Sequence, residues 1–141
     1  MDKKDLKGYQ WAKEVVEGKF TANKWVKLEC KRYIYRLEGK VDIPCFFDFE
    51  EAETIYKLLS LMNYATGFFA NQPILDHVAG FQMMIWENIF CWFYKELDEN
   101  GIRKRMIEEV YLEIGRKSAK SFICAVTEIL IMLRSPQFAQ H

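Results

Sequence analysis

The residues with the clearest chemical potential are Gly115-Arg116-Lys117-Ser118-Ala119-Lys120-Ser121. They follow a β-branched run with Ile107, Val110, Tyr111, Leu112 and Ile114, which reads as a strand over 106–114. They precede an apolar helix predicted from Lys120 to Leu133. Strand, short basic loop ending in Lys-Ser, then helix is the layout of a phosphate-binding loop. Backbone N–H groups of such a loop wrap phosphate oxygens, and the helix start adds unpaired N–H groups and a positive dipole end. The lysine reaches the terminal phosphates, and the neighbouring hydroxyl binds Mg²⁺. Lys120 and Ser121 would take those roles here. Against the pattern G-x-x-x-x-G-K-[ST], Ile114 stands at the first glycine position, with Gly115 one later, and Ala119 stands at the second. The competing reading is a basic helix start whose cations are simply solvated.

The elements that must position this loop read as mainly α with a minor β component. Residues 1–105 form a helical region, and residues 106–135 supply the strand, loop and final helix. A first helix is expected over Tyr9 to Gly18, with Trp11, Val15 and Val16 as its apolar positions. Thr21 offers an N-cap for a second, from Ala22 to Leu37, ending at Gly39. Trp25, Val26, Leu28, Tyr33, Ile34 and Leu37 supply its apolar side, while Lys24, Lys27, Lys31, Arg32 and Arg36 make much of the rest basic. That stripe is either a solvated face or a surface for a phosphate backbone or acidic partner. Val41 to Phe49 reads as an extended connection, and Asp48 as the cap of a third helix from Glu50 to Asn63. Gly67 to Pro73 is a turn region, Phe81 to Leu97 a fourth helix apolar on nearly every side, and Asp98 to Gly101 a turn.

Composition bounds the rest. A chain of 141 residues, half of them apolar and 16% aromatic, suits one domain with a real core. Lys plus Arg and Asp plus Glu number 20 each, so any nucleic-acid contact needs a local patch rather than bulk charge. Cys30, Cys45, Cys91 and Cys124 stand far apart, and the histidines are His77 and His141. No paired zinc-ligand spacing arises, and buried free thiols are expected. Two histidines leave little room for histidine acid–base chemistry. The charged start, Met1 to Asp5, does not read as a signal peptide, and no apolar run approaches the ~18 residues of a membrane span. A soluble cytoplasmic protein is expected.

Five segments in order resemble the large terminase subunit of tailed bacteriophages, the ATPase of the DNA-packaging motor. Tyr9 to Gly18 followed by Lys24 to Arg36 is similar to that family's short "Y…VV.G" helix and basic "K..VKLAC.R" helix. Phe47-Asp48-Phe49 with Ala52 resembles its "F.FD…A" segment, and Phe81-Gln82 with Phe90-Cys91-Trp92 its "L..FQ.F…..FGW" segment. The loop of residues 115–121 looks like its "RKNGKS" Walker A. The resemblance implies the first strand–P-loop–helix unit of an incomplete P-loop ATPase α/β fold. It implies ATP and Mg²⁺ as ligands, with Lys120 on the β- and γ-phosphates and Ser121 on Mg²⁺. Arg116 would sense or stabilise the γ-phosphate, with Gly115, Lys117, Ser118 and Ala119 lining the loop. Gln82 matches the adenine-reading glutamine, whose amide donates and accepts at once; its plainer reading is a polar residue starting a buried helix. The implied partners are the small terminase subunit, the portal protein and double-stranded DNA, in the cytoplasm of a bacterial host.

Two departures from the family matter. Ala119 replaces the glycine that lets backbone approach phosphate. Only 21 residues follow Lys120, so the later strands, the acidic Walker B residues and a nuclease domain are missing. The expectation is an N-terminal fragment without ATP turnover on its own and prone to self-association. The alternative is a non-enzymatic helical module that binds a protein partner through its aromatic residues.

Overall fold

The computed structural model describes residues 1–113 and 119–134. They fall into two compact units, within Met1–Glu108 and Glu109–His141.

The first unit begins with a 3-10 turn, Lys3–Asp5, whose amide of Lys4 donates to the Asp2 carboxylate at 2.7 Å. Helix α1, Lys7–Val16, packs against α2, Lys24–Leu37, and against α5, Gly80–Phe90. Asn23 rather than Thr21 caps α2, accepting the Val26 amide at 2.9 Å. Asp48 caps α3, Phe49–Leu61, as its position predicts, accepting the amides of Glu50 and Glu51 at 2.9 and 3.3 Å. A short α4, Ile74–His77, leads into α5. At the α1–α2 contact, Glu38 accepts the Tyr9 hydroxyl at 2.9 Å and pairs with Lys13 and Lys40. Those donors hold its carboxyl down at about 2.

Glycine sets the closeness of α1 to α5. A methyl group built at Gly8 would meet the Glu87 carboxylate and lie 2.6 Å from the Met84 Cα. One built at Gly80 would run into Trp11, 2.7 Å from its Cγ. The Met84 atom is backbone, so it cannot swing aside. Gly8→Ala is therefore expected to lower stability by ~3 kcal/mol, read as an earlier urea midpoint with little change in slope.

The expected fourth helix is shorter than its apolar run. It stops at Phe90, Cys91 closes it, and Trp92–Tyr94 forms a strand, β2. This strand pairs antiparallel with β1, Cys45–Phe47, in the register Cys45 to Tyr94, Phe46 to Phe93 and Phe47 to Trp92. A continuous aromatic run suits either helix or buried strand, and the extended segment before Asp48 offers it a partner.

The strand expected over 106–114 is also corrected: residues 106–113 form no strand. Pairing happens earlier in the chain. The Tyr94 amide donates to Lys104 O at 2.9 Å, and the Met106 amide to Trp92 O at 3.0 Å. Arg103 reaches Asp48 at 2.6 Å and Arg105 reaches Glu51 at 3.0 Å, pinning this segment beside the start of α3. Val110 and Tyr111 are instead exposed, at 52% and 89%. β-branched residues favour a strand only where a neighbour can pair with it.

The second unit contains α6, Lys120–Arg134, with Ile123, Val126 and Leu130 as its buried positions. The fold is thus mainly helical with a two-stranded antiparallel sheet. Among the described residues no helix is long and apolar enough to cross a membrane.

Candidate functional site

The phosphate-binding loop predicted from sequence is described only at its end. Gly115, Arg116, Lys117 and Ser118 lie outside the described residues. Ala119, Lys120 and Ser121 lie within them, and all three are exposed. Lys120 is the first residue of α6 and Ser121 the second, so both stand where a helix presents unpaired N–H groups. The Ala119 carbonyl accepts the Ile123 amide at 3.0 Å and so opens the helical ladder.

Ala119 has φ 60°, a left-handed conformation. This is the position at which the motif pattern carries glycine. The backbone therefore adopts at 119 the conformation that glycine favours, although the residue has a Cβ. Alanine pays ~1–2 kcal/mol there, while glycine would add ~0.4–1 kcal/mol of unfolded-chain entropy. Ala119→Gly is thus expected to stabilise the start of α6 by about 0.5 kcal/mol, seen as slower hydrogen exchange at its first turns. Lys120 also opposes the local dipole, since a cation at a helix start is disfavoured until an anion arrives.

Mg²⁺ fits this position only as a passenger. Ser121 offers one hydroxyl, and among the described residues no group of three or more His, Cys, Asp or Glu could hold a metal. Mg²⁺ keeps several waters and commonly binds through substrate phosphates with few protein ligands.

Gln82 lies in the first unit, 7% exposed, on the first turn of α5. Its side-chain oxygen accepts the Ala79 amide at 3.1 Å, capping its own helix.

The basic residues of α2 do not form one uniform stripe. Lys24, Lys27, Lys31 and Arg32 are exposed, whereas Arg36 is half-buried. Arg32 pairs with Glu29 at 2.5 Å, and the Lys24 ammonium sits 4.7 Å from the centre of the Trp25 ring. Trp25 and Leu28, expected on the apolar side, are 69% and 52% exposed. The buried residues of α2 are Cys30, Tyr33 and Ile34.

Three of the four thiols, Cys30, Cys45 and Cys91, are buried free cysteines, while Cys124 is exposed. Burial pushes the Cys30 thiol up to about 11 and also raises the Cys91 thiol well above its ordinary value. Neither is poised as a nucleophile.

Sequence reasoning missed a buried carboxylate. Glu87, fully buried on α5, accepts the Tyr33 hydroxyl at 2.5 Å, the Tyr56 hydroxyl at 2.6 Å and the Gly8 amide at 3.0 Å. Tyr56 in turn accepts the Lys7 amide at 2.7 Å. One side chain thereby ties α1, α2, α3 and α5 together. The available signal was a lone acid inside the apolar run of residues 81–94. Its partners are all framework groups, so it acts as an anchor rather than as an acid or base.

No protein-family model matches this chain, and neither does any curated protein or solved structure.

Proposed function

We propose that the chain is an N-terminal part of a phage terminase large subunit, carrying the nucleotide-binding start of a DNA-packaging motor. The observation that supports this most is Ala119. One of the two motif positions held by the wrong residue type, it has a left-handed backbone, φ 60°, and a 15-residue helix follows it at once, beginning with Lys-Ser. In this reading Lys120 grips the terminal phosphates of ATP, Ser121 meets the Mg²⁺ that arrives with them, and Arg116 adds charge beside the γ-phosphate. Lys117, Gly115 and Ser118 complete the loop. A P-loop α/β sheet would have to come from further chain, and turnover would await its acidic residues. The small terminase subunit, the portal and double-stranded DNA are the proposed partners of the complete motor. Saturable Mg-ATP binding that Lys120→Ala weakens is the test.

A second reading is favoured by α2. Trp25, Leu28 and Tyr35 are 69%, 52% and 45% exposed beside Lys27 and Lys31. Aromatic anchors flanked by cations suit a protein-interaction module. In that reading Lys120 is dispensable.

A further inference from the structure

A cleft of about 550 Å³ opens between the last turn of α2, residues 39–43 and the β1–β2 pair. Its size falls within the roughly 300–1,000 Å³ usual for small-molecule sites. One wall is aromatic. The strand register sets Phe47 opposite Trp92, and their rings meet edge to face at 5.2 Å. Phe49 adds a third ring, 4.9 Å from Phe47. The Trp92 indole N–H is already held by Asn88 at 3.2 Å, so this wall is essentially apolar.

The lining is also cationic: it holds Arg36, Lys40 and Lys95 with one acid, Asp42. Lys40 is held by Glu38 at 2.9 Å. Among the described residues Arg36 and Lys95 have no ion-pair partner. Both act on Cys45 at the cleft lining, drawing its thiol down against the larger upward push of burial. Arg36 is itself half-buried, and burial, followed by repulsion from Arg32, lowers its pKa. Glu29 acts on the Arg36 charge without forming an ion pair with it, and a partly desolvated guanidinium with no carboxylate in contact gains when an anion completes it.

We propose that this cleft binds a small planar anion: an aromatic or heteroaromatic body carrying a carboxylate, sulfonate or phosphate group. The half-buried rings of Phe47 and Phe49 take the planar body, with the buried Trp92 ring packed against Phe47. Arg36 takes the anionic group as a bidentate fork, and Lys95 adds long-range attraction. The site is separate in sequence from Lys120 and does not rest on the nucleotide reading.

The probe is anilinonaphthalene sulfonate, titrated into the full chain and followed by fluorescence. One saturable site per chain is expected. Arg36→Met keeps the packed stem and removes the charge, and should weaken binding at least tenfold. Arg36→Lys should recover part of it, and exposed Lys95→Met should weaken it a few-fold. The neutral N-phenylnaphthylamine should bind at least tenfold more weakly and ignore both charge variants. The Trp92 indole N–H resonance should shift during the titration while that of exposed Trp25 stays. Equal affinity in wild type, Arg36→Met and Lys95→Met, or a shift at Trp25 instead of Trp92, would overturn the proposal.

Discussion

Glu87→Ala unfolds the first unit at markedly lower urea, with a loss of ~3–5 kcal/mol. The loss has two parts. Removing the carboxylate leaves the Tyr33 and Tyr56 hydroxyls and the Gly8 amide without their acceptor inside a dry core. Each orphaned donor costs about 1–3 kcal/mol. Truncation also opens a cavity among four helices that the close α1–α5 crossing at Gly8 cannot collapse. Glu87→Gln keeps the volume and one acceptor but turns an amide N–H₂ toward donors, so it should cost less, ~1–3 kcal/mol. The pair also separates the effect of charge. Burial raises the Glu87 carboxyl above its ordinary 4.5, against the pull of Tyr33, Tyr56 and the amides of Gly8 and Tyr9. A carboxyl raised by folding contributes stability that is complete below its unfolded pKa and is lost as pH rises through the folded value. Glu87→Gln lacks that slope. The stability of wild type relative to Glu87→Gln is therefore expected to fall as pH rises above about 4.5, measured by urea unfolding across that range. A difference that grows with pH would show that the tyrosine and amide donors outweigh burial.

Lys120→Ala should weaken Mg-ATP binding by tenfold or more. A lysine that reaches terminal phosphates contributes a charge-assisted contact of about 1.5–3 kcal/mol, and tenfold corresponds to about 1.4 kcal/mol. The residue is exposed on the first turn of α6, so the folded chain should survive its loss. Unchanged helicity and melting would tie the loss to the contact.

Much of the helical framework was legible in local chemistry. Asp48 announces the start of α3 because a short carboxylate before an amphipathic run satisfies orphan amides. Gly39, at φ 72°, closes α2 in the same way, through a conformation that side chains resist. What stayed hidden depends on partners distant in sequence. The run Trp92–Tyr94 reads as helix until Cys45–Phe47 lies beside it. Residues 106–113 read as strand, but the place beside β2 is taken by residues 104–106. Trp25 and Leu28 look like core by residue type and are surface by helix phase, since Cys30, Tyr33 and Ile34 define the buried side of α2. Of the candidate site, the helix start at Lys120 could be read from sequence, and the left-handed turn at Ala119 could be suspected only from the motif it departs from. The Glu87 anchor and the cleft at Arg36 could not, because each is assembled from several elements.

The most direct measurement is a calorimetric titration of Mg-ATP into the chain, run beside Lys120→Ala and Ala119→Gly. A working cradle predicts saturable binding, a loss of tenfold or more in Lys120→Ala, and affinity retained or raised when Ala119 becomes glycine. Identical heats in all three proteins, or binding that Lys120→Ala leaves intact, would contradict the nucleotide reading and turn attention to the exposed aromatic face of α2.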